Sequence, residues 1–136
     1  MTWITLVENP KAITHLYNEV PLLRGMEVTK FILDRNGPTV KFDMDFPRFA
    51  DHVPVRWEKG CNTIRVEIDF YSATDLKLTG FSTNPILDFS MVREPNGIRV
   101  AAEDQHCRIF FLCQNIYIRQ VTGYINSVRE SPKQSP

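Results

Sequence analysis

Neither sign of charge is in excess in this 136-residue chain, where sixteen Lys and Arg stand against sixteen Asp and Glu. That balance excludes the basic footprint with which nucleic-acid binders neutralise phosphates. Cysteine is scarce, and Cys61, Cys107 and Cys113 make an odd number, so a fully paired disulfide framework is excluded. Glycine is scarce too, and Gly25, Gly37, Gly60, Gly80, Gly97 and Gly123 stand apart from one another. None of them begins a Walker loop or a dinucleotide fingerprint. A Gly-x-Ser-x-Gly elbow and a His-Glu-x-x-His pair are both missing. No window approaches the roughly 18 apolar residues of a membrane span. The opening stretch Trp3-Ile4-Thr5-Leu6-Val7 has no basic residue before it and is ended by Glu8, Asn9 and Pro10. It therefore lacks the form of a signal peptide. With unpaired thiols besides, the expected compartment is the cytoplasm.

What is present suits a folded domain. Hydrophobic residues make up 43% and charged residues 24%, near the average for globular chains. One domain is expected over residues 1–128, and the polar, proline-punctuated residues 129–136 are expected to be a disordered tail. A chain of this size buries about two-thirds of its unfolded surface without help from metal or disulfide.

A single helix is expected near residues 10 to 18. Asn9 suits an N-cap and Pro10 the first helical position, with Ala12, Ile13, Leu16 and Tyr17 as the apolar stripe. From there the period is two. Asn36-Gly37-Pro38 separates Phe31-Ile32-Leu33 from a run in which Val40, Phe42, Met44 and Phe46 alternate with Lys41, Asp43 and Asp45. Pro47 to Gly60 reads as a long connection. Ile64, Val66, Ile68 and Phe70 then alternate with Arg65, Glu67 and Asp69. Further runs centre on Leu76 and Leu78, on Leu87, Phe89 and Met91, and on Ile98, Val100 and Ala102. Cys107, Ile109, Phe111 and Cys113 form another inward set, and Ile116 to Val121 the last strand. The expected class is α+β and mainly β: one N-terminal helix plus about eight antiparallel strands, as a curved meander, two-layer sheet or open barrel.

Chemistry is harder to find. Cys107 and Cys113 would share a sheet face at about 20 Å, too far apart for one metal or a disulfide, and all three thiols are expected to be buried. His15, His52 and His106 are isolated, and nothing orients His52 towards Cys61 as base and nucleophile. The expectation is no enzyme, no metal and no cofactor. The strongest polar group is acidic: Asp43 and Asp45 share a face, as do Glu67 and Asp69. If their strands pair, four carboxylates crowd one exposed patch beside Lys41 and Arg65. Such a patch steers a cationic partner, whereas the plainer reading is a solvated face of cross-strand ion pairs.

Four segments, in order, carry a resemblance. They are Arg35-Asn36-Gly37-Pro38 with Phe42-Asp43-Met44-Asp45-Phe46-Pro47, then Val53-Pro54-Val55-Arg56-Trp57-Glu58-Lys59-Gly60-Cys61-Asn62-Thr63-Ile64, then Leu78-Thr79-Gly80-Phe81-Ser82-Thr83-Asn84, and finally Val121-Thr122-Gly123-Tyr124. Together they resemble the immunity protein 50 family of bacterial polymorphic toxin systems, over roughly residues 3 to 126. The resemblance implies a small cytoplasmic protein that binds and neutralises its cognate toxin, without catalysis or cofactor, and without nucleic acid or membrane as partner. It marks Trp57, Asn62, Gly80, Asn84 and Tyr124, each expected to define the fold. Trp57 would plug the sheet edge, Asn62 cap or turn the backbone at the start of its strand, Gly80 make a strand-end bend or bulge, and Asn84 stand extended before Pro85. The expected toxin-binding residues are Asp43, Asp45, Glu67 and Asp69, since carboxylates can mimic phosphates towards a toxin that attacks nucleic acid. The alternative is a small-ligand or sugar-binding β module that stacks its ligand on Trp3, Trp57, Phe81 or Tyr124.

Overall fold

A computed structural model describes residues 2–129. The strands are β1 Met26–Asp34, β2 Thr39–Asp45, β3 Thr63–Tyr71, β4 Thr74–Thr79, β5 Ile86–Glu94, β6 Gly97–Glu103, β7 Arg108–Cys113 and β8 Asn115–Tyr124. All eight expected strands are present. They form one antiparallel sheet in the order β4-β7-β6-β5-β1-β2-β3-β8. It is an open sheet and not a simple meander, because the chain crosses from one end to the other between β3 and β4 and returns between β7 and β8.

The sheet curls until its ends face one another. Phe70 of β3 meets Phe111 of β7 edge to face, with centroids 5.2 Å apart. Phe42 packs in the same way against Phe70 and Phe89, an arrangement that suits the aromatic quadrupole. The period-two sets Val40, Phe42, Met44, Phe46 and Ile64, Val66, Ile68, Phe70 all lie in this core. Cys61, Cys107 and Cys113 are free and buried. Burial alone pushes the Cys113 thiol up to about 12.

The helix is shorter than expected. α1 spans Lys11–Thr14, preceded by a 3-10 turn at Trp3–Leu6. After α1, the Leu16 carbonyl accepts the N–H groups of Asp51 and His52 at 2.8 and 2.9 Å. The long connection thus takes the acceptor that a continuing helix would use, while Ile13, Leu16 and Tyr17 still reach the core. Asn9 does not cap the helix. Its side-chain amide donates to the Ile118 carbonyl at 2.7 Å, and its Oδ1 accepts the Ile118 N–H at 2.8 Å. β8 is an edge strand, and this one carboxamide occupies both polar groups of a residue that faces no further strand. Glu8 adds a backbone bond to Ile116.

The alternation of Leu76 and Leu78 misleads about burial, since both are exposed on the edge strand β4. Arg129, expected in the tail, is tied down: its guanidinium donates to the Phe46 carbonyl at 2.7 Å and to Glu27 at 3.3 Å. The remainder of that expected tail, residues 130–136, lies outside the described residues.

Candidate functional site

The outward faces of β2, β3 and β8 form one surface. Antiparallel register sets Asp43 opposite Glu67, Asp45 opposite Arg65, and Lys41 opposite Asp69. The four carboxylates read from alternation are therefore together. They are not, however, an exposed patch, because Asp43, Asp45 and Asp69 are buried. Arg65 and Tyr71 of β3 cover them in part, and the other covering groups come from β8, whose pairing to this face the sequence pattern did not reveal.

The β3–β8 ladder slips by one residue between Glu67 and Ile68, leaving Arg119 as the extra residue of a bulge. The bulge aims Arg119 across the acidic groups. Its guanidinium lies 3.0 Å from Asp43, 3.1 Å from Glu67 and 3.2 Å from Asp69. It also reverses the alternation, so that Thr122 and Tyr124 face outward while Gly123 turns inward under Trp57. Arg65 makes the second pair, with its Nε donating to Asp45 Oδ1 at 3.0 Å. The Tyr124 hydroxyl donates to Asp45 Oδ2 at 2.6 Å, and the Arg65 guanidinium lies 4.8 Å from the centre of the Tyr124 ring. Burial, then the bond to Asp45, pushes the Tyr124 phenol up, while Asp45 holds the Arg65 guanidinium more firmly protonated.

Two guanidiniums thus face four carboxylates, an excess of two negative charges, while Lys41 is engaged by Asp34 at 3.4 Å. Tyr71 and Tyr117, 37% and 44% exposed, stand together at one end of the cluster, and the Tyr71 hydroxyl donates to Asp69 at 3.2 Å. Arg119, Tyr71 and Tyr117 were missed in the sequence. The signal for the first was two consecutive polar residues, Arg119 and Gln120, breaking an otherwise regular alternation.

The marked family positions lie elsewhere. Trp57 is half-buried over Gly123. Asn62 acts at long range: its Nδ2 donates to the Asn126 carbonyl at 3.0 Å and its Oδ1 accepts the Asn126 N–H at 2.8 Å. It ties the segment after β8 to the start of β3. Gly80 follows β4 with φ +72°, and a Cβ there would lie 1.9 Å from the His106 carbonyl oxygen. Asn84 is not extended but left-handed, with φ +57°, a conformation Asn tolerates. The rings of the alternative reading have other work. The Trp3 indole donates to the Pro21 carbonyl at 2.8 Å, and Phe81 rests against Phe31. Among the described residues no group of three His, Cys, Asp or Glu is placed to hold a metal ion, and no helix is long and apolar enough to cross a membrane.

No curated protein and no solved structure matches the chain. A family model does, that of Immunity protein 50, over residues 9–124. That span takes in the α1 turn, all eight strands and every residue of the outer face described above. The chain belongs to the immunity protein 50 family.

Proposed function

We propose that the chain is a bacterial, cytoplasmic immunity protein that neutralises the cognate toxin of a polymorphic toxin system by direct contact through the outer face of β2, β3 and β8. Membership of the family supports a toxin as the partner in general. The observation that favours this face is the guanidinium of Arg119 fixed by three carboxylates beside two exposed tyrosines. Tyr and Arg dominate binding hot spots because they offer large contact area. An arginine already held in place loses less freedom on binding than a mobile one.

In this reading Glu67 meets the toxin beside Arg119, Tyr71 and Tyr117. Asp43, Asp45 and Asp69 act from beneath, by holding the two arginines. The small excess of negative charge favours a basic partner surface, as on a toxin that must engage phosphates, but with weaker steering than four exposed carboxylates would give. Binding of this kind requires neither catalysis nor a cofactor.

The test is co-expression with a toxin encoded beside the gene. Restored growth, with a complex isolated by gel filtration, supports the reading. Growth arrest despite folded protein, with no complex, contradicts it.

A further inference from the structure

Several of the chain's cations are not committed to carboxylates. A cleft of about 510 Å³ lies between α1 with its following turn and the connection from β2 to β3. Lys11 and His15 line one side, His52 and Arg56 the other, and Leu16 and Val53 contribute apolar surface. Every ionisable group of this lining is basic. Among the described residues, the side chains of Lys11, His15 and Arg56 have neither a hydrogen bond nor an ion pair. The neighbouring Asp51 is already engaged, by Arg48 at 3.0 Å and by the Asn18 N–H at 2.9 Å.

The two sides are joined as one unit. The Asp51 and His52 N–H groups both bond the Leu16 carbonyl, and the Tyr17 hydroxyl donates to the Arg48 carbonyl at 2.7 Å. The His52 Nε2 meets the Asn18 carboxamide oxygen, so the imidazole is held by its other edge. Lys11 and Arg56 carry the formal charges of this lining, no carboxylate is part of it, and an anion between them is attracted to both. A guanidinium fork suits phosphoryl oxygens, a lysine adds a point charge, and the His15 imidazole can add an N–H donor. Such a donor set exceeds what one carboxylate, with two oxygens and one charge, can use.

We propose that this cleft binds a phosphate monoester, with its phosphoryl oxygens among Lys11, His15 and Arg56 and its organic part against Leu16 and Val53. The site shares no residue with the outer face of β2, β3 and β8, and it stands whether or not that face binds a toxin.

The experiment is an amide NMR titration of the full chain at constant ionic strength, with phenyl phosphate, inorganic phosphate and benzoate as probes. Phenyl phosphate should saturate and shift the amides of residues 11–16, 52, 53, 55 and 56. Inorganic phosphate should shift the same amides with weaker affinity, and benzoate should bind at least about ten-fold more weakly than phenyl phosphate. The double variant Lys11→Ala, Arg56→Ala should lose at least about ten-fold in affinity for phenyl phosphate. Its thermal midpoint should stay unchanged, since both side chains are exposed. Shifts that never saturate, that fall elsewhere, or that persist with equal affinity in the variant would overturn the site. Benzoate matching phenyl phosphate would overturn the choice of phosphate. Inorganic phosphate matching phenyl phosphate would overturn the place given to the organic part.

Discussion

Trp57 lies on Gly123 so closely that a Cβ at Gly123 would come 2.3 Å from Trp57 Cε3. The contact exists because the bulge at Arg119 turns Gly123 towards the core side of β8, where the returning connection lays its indole. Gly123→Ala must therefore displace the ring, at about 1–3 kcal/mol. Trp57→Ala should cost about 2–3 kcal/mol, below the range for a fully buried aromatic because Trp57 is only half-buried. In urea denaturation the double variant should be about as stable as Trp57→Ala alone. Additive costs would mean that the two residues do not share one space.

Asp45 is the best-buried member of the acidic group, 1% exposed, and serves Arg65 and Tyr124 at once. Asp45→Ala leaves the phenol and the guanidinium without their acceptor. The expected cost is about 1.5–3 kcal/mol, in the lower half because Arg65 can turn to water. Asp45→Asn, which keeps one acceptor, should cost less. On the exposed patch that alternation suggested, neutralising Asp43 and Asp45 would leave folding intact; burial of both reverses that. A denaturation midpoint for Asp45→Ala equal to the parent's would show the network to be ornamental to stability.

Acid should weaken the fold in a definite window. The Asp104 carboxylate accepts the N–H groups of Cys107 and His106 at 2.6 and 2.7 Å, and these hold it below its ordinary value of 3.8. Asn36 N–H does the same for Asp34, and Asn18 N–H for Asp51. A carboxylate lowered in the folded state stabilises fully above its unfolded value and loses that contribution as pH falls through the lowered one. The thermal midpoint should therefore hold from neutrality to about pH 5 and then fall. Asp104→Asn should fall less steeply below pH 4, and a slope identical to the parent's would remove Asp104 from the account.

Much of the fold was legible because strands with one buried face must alternate. Ile64, Val66, Ile68 and Phe70 against Arg65, Glu67 and Asp69 left little freedom for β3. Edge strands obey a weaker rule, which is why Leu76 and Leu78 alternate without being buried. The acidic residues were found, but their state was not. Alternation assigns a face within a strand and says nothing about which distant strand lies beside it. The pairing of β3 with β8 brings Arg119 to Asp69 across fifty positions, a separation no local pattern encodes. Asn9 and Asn62 mislead for a related reason: both suit local caps by type, and both bond the backbone of a far segment.

The central claim is that the outer face of β2, β3 and β8 receives a toxin, and the affinity of Tyr117→Ala for the toxin encoded beside the gene tests it most directly. Tyr117 is 44% exposed and has no part in the carboxylate network, so its removal should leave the thermal midpoint within about a degree. As a hot-spot residue it should cost about 2 kcal/mol of binding, roughly a thirty-fold rise in Kd. Val92→Ala, a change at an exposed position of β5, should bind like the parent. A Kd unchanged in Tyr117→Ala, with the complex still forming, would contradict the account.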